Sequence, residues 1–216
     1  MVRKGIVFAV FLLVCCMEGW AARPFSIDDA GTVEQGKFEL ELGYENCNDI
    51  TAGQSSLFAL GLKHGLTDRM DIGIGLGQTF IPEQAEGLSP SNLSLKFAVI
   101  KDLLAVSFAQ DLGSSAYQLN SALSKEFGPI ETNINLGYAA TGVSNIPGSI
   151  TYGLDLIYGF KKLDVGCEFS GDKDGFQEWL IGGSYSVIDA LAVDLGYEGN
   201  FSDASGEVTA GLHYSF

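Results

Sequence analysis

Twelve short segments of this chain alternate with period two. Every second position is apolar or aromatic, and among those positions only Lys125 is charged. Thirteen acids and three lysines of the same segments fall on the positions between. Period two is the side-chain repeat of a β-strand, whose successive residues point to opposite faces. One oily face and one charged face, kept through so many strands, predicts an all-β protein: a transmembrane up-and-down antiparallel β-barrel of about twelve strands, with lipid outside and water inside. A soluble β-sandwich would bury its apolar face and show its charges to bulk water.

The predicted strands are 37–45, 57–63, 70–77, 92–99, 103–109, 117–126, 130–138, 151–160, 163–169, 177–187, 191–198 and 207–216. The outward set includes Phe38, Leu40, Leu42 and Tyr44 at the start, and Val208, Ala210, Leu212, Tyr214 and Phe216 at the end. The stretch from Leu104 to Lys125 alternates least clearly; Lys125 lies near a strand end, where its stem can snorkel to the interface. Connections alternate in length as well. His64 to Arg69, Lys101-Asp102, Phe127-Gly128-Pro129, Lys161-Lys162 and Ile188 to Ala190 are tight, whereas Asn46–Ser56, Gln78–Ser91, Gln110–Ala116 and Ala139–Ile150 are longer and polar. Short periplasmic turns and longer external loops fit an outer-membrane barrel, and an even strand number puts both termini on the periplasmic side.

Aromatic residues sort in the same way. All eight tyrosines take the lipid-facing parity. Tyr44, Phe58, Tyr138, Tyr152, Phe169 and Tyr197 are expected near the outer rim; Phe38, Phe127, Tyr158, Phe160, Tyr185, Tyr214 and Phe216 near the periplasmic rim. Glycine sorts oppositely: Gly73, Gly153, Gly166, Gly182 and Gly196 are among those pointing inward, and only Gly183 points outward. Two readings stand for these glycines, relief of crowding on the concave face and provision of lumen volume.

The ends divide the chain. Arg3 and Lys4, then an apolar run from Gly5 to Cys16, then small residues at Gly19, Ala21 and Ala22 form a secretory signal, with cleavage expected after Ala21. The run is short for a membrane helix, which needs roughly 20 residues. The expected organisation is a signal peptide at 1–21, a periplasmic N-terminal tail at 22–36 and the barrel at 37–216, bound for the bacterial outer membrane. Mean hydropathy is only +0.19, because a barrel averages its two faces. Formal charge is −15, and loss of the signal leaves ten bases against 26 acids. Such a balance excludes a nucleic-acid partner, which needs basic patches. Cys47, read as a loop residue, and Cys167, on a lipid face, are expected to stay unpaired.

The chemistry is expected inside. The pore-lining candidates are Glu39, Glu41, Asp71, Lys96, Glu131, Asp155, Asp164, Glu178, Asp194 and Glu207, and the inward lysines are Lys37, Lys63 and Lys96. Twelve tilted strands give a backbone diameter of roughly 24 Å, leaving about 12 Å between side chains if nothing plugs the bore. With so few bases most carboxylates need water or cations, so a hydrated bore that disfavours anions is expected. The opposing expectation is a bore filled by side chains and the N-terminal tail. Catalysis is not expected. His64 lies in a turn and His213 on the lumen wall, and neither a G-x-S-x-G nor an H-E-x-x-H motif occurs. No cofactor and no metal site is expected. Asp172-Lys173-Asp174-Gly175 echoes part of a calcium loop but lacks its remaining ligands, which leaves a tight external turn.

Arg23-Pro24-Phe25-Ser26-Ile27-Asp28-Asp29-Ala30-Gly31-Thr32-Val33, followed by Gly36-Lys37-Phe38-Glu39-Leu40-Glu41, resembles the opening of the phenol-degradation meta-pathway barrels, outer-membrane proteins described as transporters. Gly65-Leu66-Thr67-Asp68-Arg69-Met70-Asp71-Ile72-Gly73 is similar to a second signature of that family. Leu212-His213-Tyr214-Ser215-Phe216 resembles the aromatic-ended signal read by the barrel-assembly machinery. The resemblance implies an outer-membrane channel for small solutes, including hydrophobic or aromatic compounds, and it carries no catalytic residues with it. Its expected partners are outer-membrane lipid, the assembly machinery through Phe216, and the solutes. Asp28 and Asp29 fit either a tail folded into or beneath the lumen or a turn-forming pair. The expected function is a passive channel with an acidic lumen; the alternative is a structural or surface-interaction barrel with a closed bore.

Overall fold

The structure is a computed structural model that describes residues 24–49, 53–82, 86–202 and 205–216. The signal peptide expected at 1–21 lies outside the described residues. The strands in chain order are β1 Phe38–Asp49, β2 Gly53–Thr67, β3 Met70–Ile81, β4 Gly87–Leu88, β5 Asn92–Ile100, β6 Leu104–Asp111, β7 Tyr117–Phe127, β8 Ile130–Ala140, β9 Ser149–Phe160, β10 Leu163–Asp172, β11 Gly175–Ile188, β12 Leu191–Asn200 and β13 Gly206–Ser215. Each long strand pairs antiparallel with the next one. β13 pairs with β1 through partners such as Glu39↔Ser215 and Leu42↔Leu212, and this closes a twelve-stranded barrel. β4 is a two-residue flap on the outer end of β3.

The alternation read from sequence is the alternation of the wall. On β12, Val193 and Leu195 are 43% and 62% exposed while Asp194 between them is 2% exposed. Leu76, Leu95, Ile134, Leu156 and Leu212 are likewise exposed outside, and Glu41, Asp71, Asn133, Asp155 and Glu168 are buried inside. The largest fully buried side chains are Asn133, Asp155 and Asp194, all polar. A water-soluble fold would reverse this arrangement. Here the exposed apolar band meets acyl chains, and every wall strand is paired on both edges, as a strand in lipid must be. The molecule is therefore a bacterial outer-membrane β-barrel. Two aromatic girdles complete it. Phe38 stacks on Phe216, and Phe216 on Tyr214, at the inner rim; Tyr117 with Tyr138, Phe169 with Phe201, and Trp179 with Tyr197 meet towards the outer rim.

All twelve predicted wall strands are present, but several reach further outward than expected. Asn46–Ser56, read as a loop, is mostly β-hairpin: Asn46 pairs with Ser56, Cys47 with Ser55 and Asn48 with Gln54. These polar rungs stand beyond the apolar band and therefore carry no two-face signal. Cys47 belongs to β1 and shares the inward parity of Glu45, whereas Cys167 faces lipid, so the wall separates the two cysteines, which do not form a disulfide with each other. Lys37, expected to point inward, precedes β1 and is exposed at the inner rim. Register slips occur between Ser56 and Leu57, Gly65 and Thr67, Ala98 and Ile100, Ser170 and Gly171, and Ser186 and Ile188.

Candidate functional site

The site is the lumen, and a stretch of the chain itself lies in it. Residues 24–36 precede β1 and follow an arc inside the wall, touching β2, β3, β5 and β7–β12 in turn. At the inner rim Gln35 forms an isolated bridge with Gly65, whose neighbours are the carbonyl oxygens of Val33 and Glu34; a side chain at 65 would collide with both. The Val33 N–H donates to Asp71 at 3.0 Å, and the Ala30 N–H to the Ser124 hydroxyl at 2.7 Å. Asn135 brackets one residue, accepting the Asp28 N–H at 3.0 Å and donating to the Asp28 carbonyl at 2.6 Å. The Glu168 carboxylate accepts the Ser26 N–H at 2.8 Å, the Ile27 N–H at 3.0 Å and the Ser26 hydroxyl. A carboxylate accepts but does not donate, so it suits a row of backbone donors.

The inward glycines of β9–β12 form the floor under the apolar side chains of this segment. A Cβ at Gly153 would meet Ile27. At Gly166 it would lie 2.9 Å from the Phe25 ring, and at Gly182 and Gly196 it would lie 2.9 and 3.2 Å from Pro24. Both readings of these glycines hold: the space at all four positions is filled by the tail, and a Cβ at Gly166 or Gly196 would also crowd the wall, at the Leu156 carbonyl and at Thr209. Asp28 and Asp29 both reach the Lys96 ammonium, at 2.7 and 3.3 Å. Asp29 also accepts the Gly31 N–H at 2.6 Å, so the pair enters the lumen and makes a turn as well. Burial pushes the Asp29 carboxyl upward, but Lys96, the Gly31 N–H and Lys63 outweigh it and hold it below the usual aspartate range.

The sequence candidates divide by partner and by position along the lumen. Glu39 and Glu41 pair with Lys63 at 3.1 and 2.8 Å, and Glu39 also meets His213 at 3.3 Å. Asp71 and Lys96 hold the tail. Asp155 accepts the Asn133 N–H at 2.9 Å and its amide at 3.2 Å, and Glu131 accepts the same amide at 3.1 Å; Asn133 also accepts the Ser124 hydroxyl. These three thus brace the wall behind the tail. Asp164 is half-buried near the inner end of β10, and Asp194 is buried in the middle of β12. Glu178 and Glu207 belong to an outer set. Glu45 on β1, Glu207 on β13, Glu198 on β12 and Glu178 on β11 all face inward near the outer mouth, with Glu198 opposite Glu207 across the ladder. Their four strands carry no lysine or arginine. The expectation that most lumen carboxylates need water or cations is thus corrected for Asp71, Asp155 and Glu168, which accept protein hydrogen bonds.

Sequence reasoning missed Ser124, Asn133, Asn135 and Asn120, whose amide donates to Asn135 at 2.8 Å. They follow the same inward parity as the acids, but a search for charge passes over neutral amides and hydroxyls. His213 has both Glu39 and the Ser215 hydroxyl on one ring nitrogen, each at 3.3 Å. A nucleophilic relay needs the acid and the serine on opposite nitrogens. Asp172–Gly175 is a turn in which Asp172 accepts the Asp174 N–H at 2.9 Å. Among the described residues no cluster of histidine, cysteine, aspartate and glutamate is arranged to hold a metal.

No family model matches the chain, and no curated protein matches it. Solved structures do. The KdgM porin superimposes with a TM-score of 0.61 at 10% identity, over 82% of this chain and 99% of that one. An outer membrane channel from Pseudomonas putida F1 gives 0.55 at 11% identity, over 87% and 98%. Outer membrane phospholipase A from Escherichia coli gives 0.52 at 13% identity, over 93% and 96%. At these identities the likeness is one of fold. It supports an outer-membrane barrel and gives no support to the narrower meta-pathway label. Because the same fold carries channels and a phospholipase, function rests on the site.

Proposed function

We propose that this protein is a passive outer-membrane channel for small solutes, with an outer mouth that disfavours anions. The observation that carries this reading is the lumen wall: carboxylates, amides and hydroxyls face inward from the inner rim to the outer rim, and Glu45, Glu178, Glu198 and Glu207 gather at the mouth, which supports a mouth that repels anions. A barrel needed only as a scaffold can be filled with packed apolar side chains. KdgM has been solved with an oligogalacturonate, so a barrel of this architecture accommodates a polar solute. The meta-pathway resemblance extends the reading to aromatic compounds, for which Phe25 in its glycine-floored slot offers a precedent of shape. Catalysis forms no part of it, because the His213 geometry lacks a relay. Planar-bilayer recordings of the folded protein in a salt gradient test the proposal. Discrete conductance steps with cation preference are expected; anion preference would overturn the acidic-mouth reading. The second reading, a barrel closed for good, is favoured by the tail in the lumen, and it predicts no steps under any condition.

A further inference from the structure

The tail is bound in an unusual way for a permanent part of a wall. Apart from the isolated bridge at Gln35, it joins no ladder. It is read instead by side chains, through its own backbone, at residues 26, 27, 28, 30 and 33. Two of the groups that read it, Asn135 and Ser124, are also held by wall side chains. Asn120 positions Asn135, and Asp155 positions Asn133, which in turn accepts the Ser124 hydroxyl. Two of the four side chains that read the tail, Ser124 and Asn135, are thus braced by the wall itself, so that part of the site is preformed on rigid strands. Its apolar anchors are Pro24, Phe25 and Ile27, seated over glycines; Ala30 is fully buried. The chain leaves the lumen at Gly36, whose φ of +79° favours glycine and turns the chain into β1. These are the marks of a ligand on a preformed track, tethered at one end.

We propose, building on the channel reading, that residues 24–33 are a tethered blocker. They occupy the Asp71–Ser124–Asn135–Glu168 track as an intramolecular peptide ligand, and they clear the bore by releasing it and swinging about Gly36 towards the periplasmic rim. The track accepts an extended chain presenting backbone N–H donors at successive residues, with a ring or branched aliphatic group to fill the glycine-floored slots. It therefore takes a second copy of the same peptide supplied from outside.

Two variants of the full chain, both with Cys47→Ser and Cys167→Ser, test this. In the first, Ala30→Cys and Ser124→Cys place thiols where the Ala30 N–H now meets the Ser124 hydroxyl, so oxidation locks the tail on its track. The oxidised protein is expected to be silent in planar bilayers, and reduction to restore conductance steps. In the second, Phe25→Ala and Ile27→Ala remove the anchors and leave the track untouched. Open time is expected to rise at least about tenfold, as loss of anchor residues at an interface does, and a synthetic peptide of residues 24–33 added to the periplasmic face is expected to block the current again. Equal conductance from the oxidised and reduced lock, or no effect of the peptide on the anchor variant, overturns the blocker while leaving the channel standing. Silence of every form, with heat-modifiable gel mobility showing folded barrels, overturns the channel reading itself.

Discussion

The inner and outer halves of the lumen use the same carboxylates to opposite ends. In the inner half each lysine has named partners: Lys63 lies between Glu39 and Glu41, and Lys96 meets Asp28 and Asp29 of the tail. Carboxylates left over there become acceptors for backbone N–H groups, as Asp71 and Glu168 do. In the outer half four strands bring Glu45, Glu178, Glu198 and Glu207 together and supply no lysine or arginine. The difference follows from what fills the space. A charge that cannot be hydrated must find a hydrogen bond or an opposite charge. Where water reaches it, the charge can act over a distance as a field. One half holds a chain, and the other, on the function proposed above, would select what approaches.

The comparison breaks most readily at Lys96. Charge-assisted hydrogen bonds are worth roughly 1.5–3 kcal/mol. The Asp29 side chain is 48% exposed, so only the Asp28 contact is counted in full. Lys96→Met is then expected to shift the tail towards release by about tenfold or more, read as longer open times and faster protease cleavage within residues 24–36. An unchanged tail would show that the inner half does not depend on this pair. Sharpening comes from the mouth. Glu198→Gln with Glu207→Gln removes two carboxyl groups far from the tail, and the cation-over-anion permeability ratio is expected to fall about two- to threefold with open time unaltered. A change in open time instead would merge the two halves into one device. The smallest effect is that of acid. Asp29 is held below its ordinary value, so its contribution to docking is fully present above the unfolded aspartate range and fades as pH falls through the lowered folded value. Protease protection of the tail is expected to stay level from neutral to mildly acid pH and to loosen only below the ordinary aspartate range.

The barrel was legible in the sequence because lipid on one side and charge on the other leave a period-two record in every strand. Leu195 and Asp194 are neighbours with opposite surroundings, and nothing but a two-faced wall explains both. Legibility failed where that contrast ends. The rungs Asn46↔Ser56 and Cys47↔Ser55 stand above the apolar band, so polar residues on both faces of the strand read as loop. The tail failed for a different reason. Many of its contacts run from wall side chains to its own main chain, and a main chain leaves no mark in a sequence. The Asp28-Asp29 pair and the glycines gathered on one parity allowed a tail in the lumen, but the first fitted a simple turn and the second an empty bore equally well. Ser124 and Asn135 escaped because neutral polar residues on a lumen wall look like ordinary lining until something is seen bound to them.

The five slips in register all fall close to a rim, on β2, β5, β10 and β11, and none interrupts the middle of the wall. Irregular rungs are where amide protons first escape to solvent. The belt between them is a continuous hoop of main-chain bonds clad in hydrocarbon, narrowest at the β3–β5 seam, where six rungs pair. On the channel reading proposed above, traffic is therefore expected to run along the axis, since a sideways exit into the bilayer would require that hoop to be cut.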